Sequence, residues 1–174
     1  METGDFILDM LNRMQQALTT AVDGLTHEEL KWRPGPEANS IGFIFWHQVR
    51  CEDVYVQGLI QQKPLVWVSE RWYQKLNLPQ NPMDVGYGYT AEQVAAFPVP
   101  ELGDLWGYAS AVRARTVEYL KGITPDKFDE IIQERIFGET ETTIGQLFSY
   151  GLCEITRHIG QIAYLRGLQR GLNK

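Results

Sequence analysis

Ile7, Leu11, Met14, Leu18 and Ala21 recur at alternating steps of four and three. An α-helix turns once every ~3.6 residues, so this spacing stacks the apolar side chains on one face and the polar ones on the other. The pattern predicts a helix over residues 3–22 whose stripe must be buried against other elements. Three more long helices follow from similar signals. The second starts at Ser40, a side chain suited to accept from the N–H groups of a first turn, and runs through IGFIFWHQVRCEDVYVQGLIQQ to about Gln62, before Pro64. The third spans about residues 101–121, with Leu102, Leu105, Ala109, Val112, Thr116 and Leu120 facing inward. The fourth begins near Thr143 and continues past Leu168.

Punctuation between these helices is equally local. Thr26 and Glu29 stand in capping-box register, and RPGPEANS ends the short helix which that box opens. Thr124 followed by Pro125 marks another short helical turn. SIGFIF at Ser40 and TIGQLF at Thr143 match at Ile, Gly and Phe, which predicts the same capped, closely packed start for both helices. Between the second and third helices lies a long crossover carrying Pro64, Pro79, Pro82, Pro98 and Pro100 together with GYGYT. SERWYQKL and TAEQVAAF each have the composition of a short helix within it. Trp67, Trp72, Tyr73, Tyr87 and Tyr89 make this segment either a wall over a pocket or a plug over one end of the fold. Four long helices, no β-type alternation and one long crossover predict an all-α protein, an antiparallel four-helix bundle.

With 174 residues, 44% of them hydrophobic and 22% charged, the chain suits a single domain over residues 1–174. A net charge of -6 and the lack of any Lys/Arg block argue against a nucleic-acid partner. FIFW, residues 43–46, is far short of the ~20 apolar residues that cross a bilayer, and METGDFILDM lacks the basic start of a secretory signal. No membrane association and a cytoplasmic location are therefore expected. Cys51 and Cys153 belong to no CxxC pair and are expected to be reduced, buried thiols.

Chemistry concentrates in EITRHIGQ, residues 154–161. Residues four apart share a helix face, so Glu154 and His158 can aim at one point as a two-toothed metal grip. His158 shares its stripe with Leu147, Gly151 and Leu165, which turns it inward, whereas Glu154 falls nearer the edge. A third donor must come from another helix. His47 is the candidate, because Phe43, Ile44, Cys51 and Val54 at helical spacing turn it toward the core. The same residues also fit a packed core histidine and an ordinary ion pair. Tyr150 and Gln161 flank the pair and could orient a ligand. His27 lies inside the capping box and reads as a solvated helix-start residue. No Ser/His/Asp grouping, phosphate loop or paired-cysteine signature competes.

SIGFIFWHQVRCEDVYV together with EITRHIGQIAYLRG resembles the DinB-like superfamily of metal-dependent bundle proteins, and the likeness extends to WRPGPEANS before the second helix. The resemblance implies an up-down-down-up four-helix bundle, a homodimer, and a divalent metal ion (Zn, Ni, Mn or Fe). In that superfamily the ion is held by three histidines, one on the second helix and an HxxxH pair on the last. His47 and His158 match the first and third; Glu154 stands where the second histidine would be. Characterised members include thiol-dependent isomerases and S-transferases. The resemblance therefore implies a small-molecule substrate, with a low-molecular-weight thiol as partner, or metal-dependent hydrolysis. The alternative is a non-catalytic, stress-related module that binds a ligand or dimerises around a degenerate metal site.

Overall fold

The computed structural model describes residues 1–132 and 141–171. Among the described residues it contains eight α-helices and no strand beyond an isolated bridge between Ile131 and Thr143. The all-α expectation holds. Helix α1 (Thr3–Val22) buries Ile7, Leu11, Met14, Leu18 and Ala21, the stripe its spacing dictates. Helix α2 (His27–Lys31) opens on the reciprocal Thr26/Glu29 capping box. Helix α3 (Ile41–Asp53) is capped by Ser40, whose Oγ accepts from the Phe43 N–H at 3.2 Å. It runs on into a π-helical stretch, Val54–Ile60, the wider-turned geometry that recurs at functional sites.

The crossover carries three short helices, α4 (Val66–Ser69), α5 (Trp72–Lys75) and α6 (Ala91–Ala96). Helix α7 (Leu102–Gly122) buries Leu105, Tyr108, Val112, Thr116 and Leu120. Leu102 and Ala109, expected to face inward, are only half-buried, and Tyr108 takes the interior place because its hydroxyl finds partners there. A 3-10 turn, Pro125–Asp129, precedes the last helix, α8 (Ile144–Arg170). Helix α1 packs against α7 and α8, and α3 packs against the same two, so the four long helices form a closed ring around the core. No described helix is long and apolar enough to cross a membrane.

The echo between the two helix starts has a physical basis. Thr143 caps α8 as Ser40 caps α3. A Cβ on Gly42 would overlap Val99, and one on Gly145 would meet the Phe128 carbonyl at 3.1 Å, so each first turn needs a residue without a side chain. Cys51 is buried as expected; Cys153 faces solvent, a departure, because its position on α8 points away from the ring.

Two buried ion pairs lock α3 in place. Arg113 on α7 donates from Nε and Nη2 to the two oxygens of Glu52 at 2.8 Å each, and the Thr116 hydroxyl adds a third bond at 2.8 Å. Burial pushes the Glu52 carboxyl up, but Arg113 and Thr116 outweigh it and leave the pKa below its ordinary value. Arg50, fully buried, lies 3.6 Å from Asp53, 4.4 Å from the Trp67 ring centroid, and donates to the Tyr108 hydroxyl at 3.1 Å. It also donates to the main-chain carbonyls of Pro82 and Asp84, which pins the crossover against α3. Asp53 in turn accepts from the N–H groups of Val66 and Trp67 at 3.0 and 2.9 Å. The crossover is thus half plug and half wall: Trp67 is 1% exposed in the core, whereas Tyr87 is 90% exposed.

Candidate metal centre

Every residue of α3 is buried except His47, which is half-buried. It faces α8, where Glu154 and His158 lie one turn apart. The His47 and His158 rings meet nearly at right angles, 86°, with centroids 4.9 Å apart. One donor atom from each of His47, Glu154 and His158 lies within 4.8 Å of the other two. The three expected residues therefore converge. Glu154, placed near the edge by its helical azimuth, is in fact buried at 8% exposure.

Hydrogen bonds fix which nitrogen each imidazole presents. The Nδ1–H of His47 donates to the Val85 carbonyl, and that of His158 donates to Gln161 Oε1 at 2.8 Å. Each ring then carries its free lone pair on Nε2. His158 Nε2 is buried with no hydrogen-bond partner among the described residues, 3.3 Å from Glu154 Oε2. An orphaned buried nitrogen beside a carboxylate and a second imidazole costs free energy unless something satisfies it. A cation would do so. Two imidazoles and a carboxylate are a donor set that suits first-row divalent ions, so the residues present fit the metal.

The surroundings of each donor are explicit. Burial pushes the His47 imidazole below its ordinary pKa, with the Val85 carbonyl opposing. Arg157 donates from Nη2 to both oxygens of Glu154, and the Tyr150 hydroxyl donates to the same carboxylate. Burial, then this bond, pushes Tyr150 up to about 12. Cys51 Sγ lies 3.7 Å from His47 Nε2, and burial holds its thiol at about 12, protonated at neutral pH.

A cleft of about 780 Å³ opens onto the three residues, walled by Tyr55, Met83, Tyr87, Tyr150 and Arg157. A smaller hollow of about 190 Å³, bounded by Phe43, Gly86 and Tyr89, also borders the imidazole pair. The loop that lines both is shaped by Asp84, which accepts from the Gly86 N–H at 3.0 Å and the Tyr89 hydroxyl at 2.6 Å. Gly86, at φ +79°, sits where a Cβ would come within 2.8 Å of Phe43 and Trp46.

Gln161 and Tyr150, which flank the pair in sequence, both touch the donors. His27, read from the sequence as a solvated helix-start residue, lies outside the group. It is half-buried with Nδ1 3.2 Å from Glu101 Oε1, at the junction of α2 and the start of α7. Nothing in the sequence signals Val85, which acts through its main chain. Tyr55 does carry a signal: it stands eight residues after His47, on the same helix face.

Comparison with proteins of curated function finds no match. A solved structure, described as the conserved protein of a locus from Enterococcus faecalis, is similar in fold. It is 24% identical over 97% of each chain with a TM-score of 0.85. The sequence pattern of the DinB superfamily matches residues 10–162, from within α1 to the part of α8 beyond His158 and Gln161, and the chain belongs to that superfamily.

Proposed function

We propose that this protein is a divalent-metal-dependent enzyme in which His47, Glu154 and His158 hold the ion and a small molecule binds in the adjoining cleft. The observation that carries the reading is the convergence of one donor atom from each of His47, Glu154 and His158 within 4.8 Å, where the buried Nε2 of His158 has no hydrogen-bond partner among the described residues. Once bound, such an ion supplies Lewis acidity and lowers the pKa of a coordinated thiol or water. The chain's own residues do the rest. Val85 and Gln161 hold both imidazoles in the tautomer that presents Nε2, and the Tyr150 hydroxyl orients Glu154.

Thiol-dependent group transfer is the favoured reaction, with hydrolysis the second choice. Two hollows border the same pair of imidazoles, which suits two small reactants meeting there better than one reactant and water. A second reading is favoured by one contact: Arg157 neutralises Glu154 without any ion, as it would in a metal-free binding module. Metal analysis of purified, metal-loaded protein separates the two. The enzyme reading expects about one divalent ion per chain, lost in His158→Ala while the circular dichroism spectrum is unchanged. A wild-type protein that takes up no divalent ion under loading conditions leaves the binding module.

A further inference from the structure

The wall of the cleft contains a binding group that the metal centre does not use. Arg157 is the only Lys or Arg among the described residues that line it, opposite two carboxylates. One of these, Asp84, is engaged by the Gly86 N–H and the Tyr89 hydroxyl. The other, Glu154, accepts from the Tyr150 hydroxyl and, of the donors of Arg157, from Nη2 only. A guanidinium carries five N–H donors in a planar fork. The Nε and Nη1 groups of Arg157 make no hydrogen bond within the described protein, and its side chain is 61% exposed while that of Glu154 is 10% exposed. The arginine thus leans over the cleft from its rim with most of its donors unused.

What surrounds those donors is apolar and aromatic. Tyr55, Tyr150, Val54 and the exposed pair Met83 and Tyr87 offer ring and thioether surface. Inorganic anions make no use of such a wall; an organic anion with an apolar body does. Charge points the same way. A divalent ion on Glu154 leaves the cleft with excess positive charge even with Asp84 counted. The ion also competes with Arg157 for Glu154, so its arrival frees the guanidinium for another carboxylate, which it can grip in two-point fashion.

We propose that Arg157 is the anchor for the carboxylate of an amphiphilic organic acid, whose apolar body lies along Tyr55, Tyr87 and Tyr150. The ligand's reactive end then lies beside His47 and His158, because the anchor itself touches Glu154. The anchor site follows from Arg157 and the cleft walls; only its release by an ion rests on the metal reading given above.

Benzoate is the probe, with benzamide as the uncharged control of the same shape, and binding is read by titration calorimetry. In metal-free protein, Glu154→Gln frees Arg157 and is expected to tighten benzoate at least ~10-fold over wild type. Adding Arg157→Gln to that variant is expected to reverse the gain, with benzamide unchanged throughout. Zinc-loaded wild type is expected to match the Glu154→Gln gain. Benzoate binding that is no tighter in Glu154→Gln, or that survives Arg157→Gln, overturns the anchor. Failure of the wild type to take up zinc overturns the metal reading alone, since the metal-free arm still decides the anchor. Arg157 is an exposed side chain, so its replacement leaves the fold intact as a control for both arms.

Discussion

Two of the buried polar clusters on helix α3 lie a single turn apart, and they differ in one respect. Around Arg50 and Asp53 the charged groups are met on several sides. The carboxylate takes two backbone N–H groups and the Tyr108 hydroxyl, and the guanidinium takes carbonyls, a hydroxyl and the face of Trp67. Around His47 and His158 the fold satisfies the Nδ1 sides, and the buried Nε2 of His158 has no hydrogen-bond partner among the described residues. Both clusters are desolvated and both are polar. What separates scaffold from candidate site is unfilled bonding capacity. The closed cluster fixes the crossover, the fixed crossover places the Val85 carbonyl, and that carbonyl sets which nitrogen of His47 looks into the cleft. The open cluster depends on the closed one.

That dependence can be broken from the closed side, where the largest effect is expected. Removing one partner of a fully buried pair strands the other charge, a loss of ~3–5 kcal/mol. Arg50→Ala strands Asp53, whose carboxyl burial already pushes above its ordinary pKa against the pull of the Trp67 and Val66 N–H groups. Urea unfolding should show a loss of this size. The same variant should bind metal more weakly, because the anchors at Pro82 and Asp84 go with the arginine. Unfolding free energy within ~1 kcal/mol of wild type would mean that the closed cluster does not hold the crossover.

The parts of this arrangement that the sequence discloses are the parts set by local geometry. The four-three spacing of α1, the Ser40 and Thr143 caps and the Thr26/Glu29 box act within one helical turn, so they read directly. His47 and His158 are legible because an imidazole among Phe43, Ile44, Cys51 and Val54, or among Leu147, Gly151 and Leu165, has to point inward. Glu154 is legible as their partner by spacing but not as a buried residue. Its helical azimuth places it at an edge, and Cys51 and Tyr55, from a different helix, close over that edge. Val85 is invisible because a main-chain carbonyl has no sequence signature, and 38 residues separate it from the ring it holds. The crossover aromatics are illegible for a similar reason: the groups that meet Trp67 in the core, Arg50 over its ring and Asp53 at its N–H, stand on a different helix.

The open cluster offers a smaller, sharper perturbation. Among the described residues the Gln161 side chain hydrogen-bonds only His158, through Nδ1, so Gln161→Leu removes the acceptor that fixes the ring while leaving all three donors in place. Outer partners of this kind change metal affinity by ~10–100-fold when removed. Zinc competition titration should show a loss in that range, with unfolding free energy within ~1 kcal/mol of wild type because one exchangeable hydrogen bond is at stake. Gln161→Glu, which restores an acceptor, should recover most of the affinity. Equal affinity in Gln161→Leu and wild type would show that the tautomer of His158 is set by something other than this bond.

The smallest effect belongs to a third charge cluster, closed like the Arg50 set but near the surface, and it tests whether closure alone gives stability. Arg170 near the end of α8 donates to both oxygens of Glu29 at 2.6 and 2.7 Å, joining the last helix to α2. The Arg170 guanidinium, helped by the N–H and hydroxyl of Thr26, lowers the Glu29 pKa from 4.5 to about 2. A carboxyl whose pKa is lower in the folded chain than in the unfolded one stabilises the fold above its unfolded value and loses that contribution as protons bind. For Glu29 the contribution is whole above pH 4.5, declines below it, and is gone near pH 2. Solvent screens such a pair, so Glu29→Gln should lower the melting temperature by only about 2 °C at neutral pH. That gap should then narrow as the pH is taken down through the same window. A gap that stays constant across it would assign the stability to the neutral hydrogen bonds with Thr26, and would leave burial, not closure, as what makes the Arg50 cluster a scaffold.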